Sequence, residues 1–243
     1  MLKGKRILVT GATSGIGNEI ARQCVTNGAT VIFCGRSAEK LNTLRAEFGS
    51  EHFYVQADIA TDEGIQILLN ACENLDGIVH CAGVMKTLPA KFIGREALHE
   101  IMNTNFYASV LINAGLLKKK ALQKGGAIVL ISSIGGNLIA SKGNGLYSAS
   151  KGALNAYAKV LALELSNQQI TVNTINPGMV KTNMWDGGHS QISADQLEED
   201  QKKYPLGYGE PIDVAEMCVF LLSAKAKWMT GSNVILDGGF TIQ

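Results

Sequence analysis

Little in this chain marks it for a special environment. Only four of its 243 residues are proline, and no Pro-rich, Ser-rich or single-charge run divides one region from another. A linker between domains would carry such a run, so the length reads as one globular unit, 1–243, with a substantial core. The formal net charge is +1. That excludes the strong basic field of a nucleic-acid binder and gives no pull toward a membrane surface. No apolar run reaches the roughly 20 residues of a membrane-spanning helix. The first residues, MLKGKRILVTGATSGIG, lack the apolar stretch of a signal peptide. Five cysteines, Cys24, Cys34, Cys72, Cys81 and Cys218, stand far apart with no CxxC. Such spacing argues against a disulfide framework or a metal site and for reduced, buried thiols in a cytoplasmic protein. The one basic cluster, Lys118, Lys119 and Lys120 with Lys124 nearby, reads as the solvated end of a helix, where cations also suit the dipole.

What is present is a rhythm. Short apolar runs, RILVT (Arg6–Thr10), TVIFC (Thr30–Cys34), FYVQA (Phe53–Ala57), GIVHC (Gly77–Cys81), AIVLIS (Ala127–Ser132), TVNTI (Thr171–Ile175) and NVILD (Asn233–Asp237), alternate with helical stretches. The predicted helices cover Gly15–Asn27, Ser37–Phe48, Asp62–Cys72, Arg95–Lys120 and Tyr147–Leu165. Near-continuous apolar strands are buried on both faces, as in a parallel sheet covered by helices. Repeated βα units predict an α/β fold, a doubly wound seven-stranded parallel sheet of Rossmann type. Ligands of such sheets bind beyond the carboxyl ends of the strands.

The residues there carry the chemistry. After the first strand, TGATSGIG places Gly11, Gly15 and Gly17 at the opening of a helix. Glycine lets the backbone approach a pyrophosphate, and the helix start offers free N–H groups. After the second strand comes Gly35 and then Arg36, with no carboxylate before Glu39. A cation at this place suits a ribose 2′-phosphate, so NADP is expected rather than NAD. After the third strand Asp58 is a candidate for the adenine amino group, with Ile59 beside the ring; helix capping is its competing role. Tyr147 and Lys151 are four apart and share a helix face. A phenol titrates near ~10, too high for a good base at neutral pH, and a nearby ammonium lowers it.

These motifs, in this order and along essentially the whole chain, resemble those of the short-chain dehydrogenase/reductase family. TGATSGIG resembles TGxxxGIG, HCAG (His80–Gly83) resembles NNAG with both asparagines replaced, and YSASK resembles YxxxK. NPGMVKT (Asn176–Thr182) and MTGSNVILDGG (Met229–Gly239) also fit. The resemblance implies a catalytic tetrad of Asn105, Ser133, Tyr147 and Lys151. Ser132 is the alternative serine; family alignment favours Ser133. It implies that Asn105 holds a water linking the lysine to solvent, and that Tyr147 and Lys151 also meet the cofactor. It further implies cofactor contacts at Gly11, Ser14, Gly15, Ile16 and Gly17, at Ala82 and Gly83, and at Pro177, Gly178, Val180 and Thr182. His80 and Cys81 read as structural groups, with no metal pattern around them.

The segment at about 184–209 is polar, glycine-flanked and long for a connection, which predicts a lid over the substrate. Met184, Trp185, His189 and Tyr204 are its candidate lining residues. The expected activity is interconversion of a carbonyl and a secondary alcohol by hydride transfer, with Tyr147 as general acid/base. The partners expected are a small carbonyl or alcohol substrate, an acyl carrier protein through likeness to 3-oxoacyl-carrier-protein reductases, and further copies of the chain. By resemblance these form a homotetramer, or a homodimer, through the Arg95–Lys120 and Leu146–Leu165 helices. The rival readings are a non-catalytic dinucleotide-binding regulator, an NAD-dependent alcohol or sugar dehydrogenase, and a nucleotide-sugar epimerase or dehydratase.

Overall fold

A computed structural model describes residues 1–182 and 194–243, with backbone only for 194–197. Seven strands form one sheet: β1 (Arg6–Thr10), β2 (Thr30–Gly35), β3 (Phe53–Gln56), β4 (Leu75–His80), β5 (Leu122–Ile131), β6 (Thr171–Pro177) and β7 (Asn233–Leu236). Their order is β3-β2-β1-β4-β5-β6-β7 and every pairing is parallel. β1 pairs with β2 on one side and β4 on the other. The strand order therefore reverses at β1, and the crevice between the first and fourth strands is where such sheets take ligands.

The strands alternate between two cores. Ile7, Val9, Val31, Phe33 and Val129 belong to one, and Leu8, Ile32, Ile128 and Leu130 to the other. Side chains along a strand point to opposite faces in turn, which is why the sequence shows unbroken apolar runs. Helices α1 (Gly15–Thr26) and α2 (Ala38–Phe48) lie over the first face; α3 (Asp62–Ala71) lies over the second. Ser37 caps α2 by accepting from Lys40 N–H, and Thr61 caps α3 by accepting from Gly64 N–H. Phe33 stacks between Phe48 and Tyr54, with centroids 5.7 and 5.1 Å away. Such pairs add about 0.5–1.5 kcal/mol beyond burial.

Three departures from expectation bear on function. The stretch Arg95–Lys120 is not one helix. It is α4 (Arg95–Met102) and α5 (Ala108–Lys118) joined by a π turn, Asn103–Tyr107. Helical periodicity continues through such a turn, so the sequence does not reveal it, yet the wide turn sits around Asn105. The helix α6 (Gly145–Glu164) runs as predicted to within two residues. Beyond it come α7 (Ala194–Gln201), within the 184–209 segment, and an unanticipated helix, α8 (Pro211–Leu222). Its signals are local: Pro211 at the first position and a reciprocal capping box between Glu210 and Asp213. Among the described residues no helix is long and apolar enough to cross a membrane. Met184, Trp185 and His189 lie outside the described residues.

Candidate active site

One cavity of about 1150 Å³ opens along the carboxyl ends of the strands, lined in part by the segments that follow β1 through β6. From β1 come Gly11, Ser14, Gly15, Ile16 and Gly17. At Gly11 φ is +70°, and a Cβ would stand 2.8 Å from the Ala82 backbone. At Gly17 a Cβ would stand 2.3 Å from the Gly11 carbonyl oxygen. No side chain fits either place, so the loop folds tightly on itself and leaves the start of α1 facing the cavity. Free backbone N–H groups and a positive helix end suit a pyrophosphate. The residues present therefore fit a dinucleotide.

From β2 come Arg36 and Lys40, from β3 Asp58 and Ile59. Lys40, in the first turn of α2, brings a second cation to this end of the cavity. It was not a candidate from sequence, since Arg36 lies before the helix and the four-residue spacing implies no shared face. Asp58 does not cap a helix with its carboxylate, because Thr61 does that. Its Oδ1 accepts from Ala60 N–H at 3.1 Å. From β4 come Ala82 and Gly83, and from β6 Pro177, Gly178, Val180 and Thr182.

The opposite wall is β5 and α6. Ser133 Oγ accepts from Gly135 N–H at 3.1 Å and hydrogen-bonds the Tyr147 phenol. Ser132 also borders the cavity, but its hydroxyl is engaged, donating to the Lys151 carbonyl at 3.0 Å. Lys151 is 4% exposed, donates from Nζ to the Ile131 carbonyl at 2.8 Å, and sits 5.7 Å from the Tyr147 ring centroid. Burial pushes the Lys151 ammonium down to about 8, with Cys81 pulling weakly the other way. Burial also raises the Tyr147 phenol above its ordinary range, against the hydrogen bond from Ser133. This corrects the expectation of a lowered phenol: desolvation outweighs the hydrogen bond from Ser133.

Asn105, 1% exposed, lies behind this wall rather than on it. Its Oδ1 accepts from Val84 N–H at 2.8 Å, and its Nδ2 donates to Val84 O at 2.9 Å and Ser150 Oγ at 3.0 Å. Ser150 Oγ in turn donates to the Tyr147 carbonyl at 2.7 Å. The amide thus ties the segment after β4 to the helix of Tyr147. His80 is buried, with Nε2 2.9 Å from Asn113 Oδ1, and burial lowers it to about 4, so it is neutral. Burial pushes the Cys81 thiol up to about 12, which removes it as a nucleophile. Among the described residues no group of three His, Cys, Asp or Glu side chains is placed to hold a metal.

Tyr204, Tyr208 and Phe240 also line the cavity, as do Ser141, Lys142 and Asn144. Of these only Tyr204 was a candidate from sequence. Phe240 carries no sequence signal, because it reaches the site from the far end of the chain.

The family model described as "Enoyl-(Acyl carrier protein) reductase" matches residues 11–241. A 3-oxoacyl-[acyl-carrier-protein] reductase FabG of Rickettsia prowazekii (strain Madrid E) is 34% identical over 239 residues, covering 98% of this chain and 97% of that protein. An NADP-dependent (R)-specific alcohol dehydrogenase of Lentilactobacillus kefiri is 32% identical over 255 residues, covering 100% and 98%. Among solved structures, a short-chain type dehydrogenase/reductase from Mycobacterium marinum superposes with a TM-score of 0.90 at 27% identity, covering 100% of this chain and 97% of that one. The chain belongs to the short-chain dehydrogenase/reductase family and is an oxidoreductase of the carbonyl–alcohol pair.

Proposed function

We propose that this oxidoreductase uses NADP and reduces a ketone to a secondary alcohol, with Tyr147 as the proton donor. The observation that carries the reading is the Ser133–Tyr147 hydrogen bond beside Lys151, on a wall of the cavity that the glycine loop enters. When bound, a reduced nicotinamide supplies the hydride. Ser133, held through Oγ by Gly135, offers its hydroxyl to the substrate oxygen. Tyr147 gives its proton to that same oxygen as negative charge develops. The burial that raises the phenol keeps it protonated at neutral pH, so it starts as an acid. That favours reduction over oxidation. Lys151 then stabilises the phenolate, and an ammonium near 8 can give up a replacement proton.

Arg36 and Lys40 support NADP, since both line the cavity after β2 and no carboxylate of that segment does. Arg36→Asp should shift the NADPH/NADH preference toward NADH by about 10- to 100-fold, the equivalent of one charge-assisted hydrogen bond. Steady-state kcat/KM for the two cofactors measures it. An unchanged ratio would remove the basis for NADP.

The relatives named for acyl-carrier substrates support a 3-oxoacyl thioester as the ketone. Lys118, Lys119, Lys120 and Lys124 are poorly placed to serve this chain's own cavity. Lys124 precedes Ile131 by seven residues, ~23 Å along the strand at about 3.3 Å per residue. Exposed Tyr107, Leu111, Val160 and Leu163 on the α4–α6 side support self-association into a homodimer or homotetramer. The test of function is oxidation of NADPH with acyl thioesters, sugars and cyclic ketones across pH. A thioester-dependent rate is expected. Its kcat/KM should hold level near neutrality and fall roughly tenfold per pH unit above about 8, where Lys151 loses its proton. No oxidation with any carbonyl, or a rate level to far above 8, would refute the scheme.

A further inference from the structure

The turn after β6 is held from two sides. Gly178 N–H donates to the Leu236 carbonyl at 2.8 Å, which ties the turn to β7. Gly209 N–H donates to the Met179 carbonyl, and Lys181 N–H to the Gly209 carbonyl, both at 2.9 Å. Between these ties stands Tyr204, 7% exposed. Its hydroxyl oxygen accepts a hydrogen bond from the Met179 backbone. Its Cε1 lies 3.1 Å from where a Cβ on Gly178 would stand. Its ring stacks on Phe240, with centroids 4.5 Å apart and planes at 27°, and Tyr208 meets it edge-on at 5.0 Å.

Phe240 belongs to a tail that is itself shaped. The Asp237 carboxylate accepts from Gly239 N–H at 3.0 Å, Thr241 N–H at 2.8 Å and Thr241 Oγ1 at 2.7 Å. Leu206 N–H donates to the Gly238 carbonyl at 3.0 Å, which binds the tail to the segment after α7. Tyr204 and Phe240 both border the cavity, next to Gly178 and Met179.

We infer that Tyr204 is a positioning residue for the nicotinamide end of the dinucleotide, acting through the Met179 backbone and held in place by Phe240. The inference rests on the proposed reading of the cavity as a dinucleotide site. Besides Tyr204, the turn at Gly178–Thr182 is held by backbone bonds, by the buried Val180 side chain and by an exposed ion pair of Lys181 with Glu210, and a loose turn must be ordered at the moment a ligand binds. A buried phenol bonded to its backbone orders it beforehand. Among the described residues no hydrogen bond, ion pair or ring contact joins Arg36, Lys40 or Asp58 at the adenine end to Tyr204 or Phe240, so the two ends should respond separately.

The experiment compares NADPH with 2′,5′-ADP, which carries only the adenine half, by titration against the unreacted protein. Tyr204→Phe keeps the ring and removes the hydroxyl. It should weaken NADPH about three- to tenfold, the effect of one lost hydrogen bond, and leave 2′,5′-ADP within about twofold. Phe240→Ala should repeat that pattern, and Phe240→Tyr should restore wild-type binding. The inference is overturned if Tyr204→Phe binds NADPH as the wild type does, or if both ligands weaken together. A wild-type protein that binds neither ligand would instead overturn the reading of the cavity.

Discussion

Replacing Tyr147 with Phe should lower kcat by about 10³-fold, within the 10²- to 10⁴-fold range of a positioned proton donor. The change removes one oxygen from a wall whose other parts hold themselves. Ser133 keeps its Gly135 N–H contact, and Lys151 keeps its bond to the Ile131 carbonyl. The phenylalanine ring still fills the place beside the ammonium. The affinity for NADPH should therefore stay within about twofold. The protein loses the Ser133–Tyr147 hydrogen bond, on the order of 1 kcal/mol, which lowers Tm by about 2–4 °C in a chain of this size. The measurements are stopped-flow reduction, a cofactor titration and a thermal melt. Activity within about tenfold of wild type would mean that the proton comes from elsewhere, and the proposed mechanism would fall. Loss of NADPH binding in step with activity would mean that Tyr147 serves affinity instead.

How much of this site can be read from residues alone differs with the range of the interactions. The strands are legible because burial on both faces removes polar residues from them, and Ile7, Leu8 and Val9 show that directly. The glycine loop, Arg36, Tyr147 and Lys151 are legible because each stands at a short fixed distance from a strand or from one another. Electrostatic balance is not legible. The four-residue spacing of Tyr147 and Lys151 suggests a lowered phenol, while their common burial raises the phenol and lowers the lysine. Spacing reports who is near, and only depth reports which effect wins. The π turn at Asn105 is hidden for a similar reason. Its apolar neighbours keep a helical period, and what marks it is the bonding of the Asn105 amide to Val84 and Ser150. Phe240 against Tyr204 is hidden by separation along the chain.

The glycine loop supports a second prediction of comparable size. Gly17→Ala should cut dinucleotide affinity at least about 100-fold, whereas Gly15→Ala should cost far less. The two differ in what the new methyl meets. At Gly17 it would lie 2.3 Å from the Gly11 carbonyl oxygen and 2.9 Å from the Gly11 carbonyl carbon, both backbone atoms. Gly11 has little room to retreat, because even a Cβ built on it would stand 2.8 Å from the Ala82 backbone just after β4. Relief must therefore come from moving the start of α1, whose free N–H groups are the anion-binding feature. At Gly15 the nearest atoms are Thr182 side-chain carbons at 3.5 Å, so the cost is the left-handed φ of +53°, about 1–2 kcal/mol. Isothermal titration with NADPH on both variants, paired with thermal melts, gives the comparison. Gly17→Ala binding NADPH like the wild type, or Gly15→Ala proving the more damaging, would show that the tight crossing of Gly11 and Gly17 is not what shapes the phosphate site. The expected order follows from a clash with backbone that has little room to yield, set against a strain that the loop can absorb.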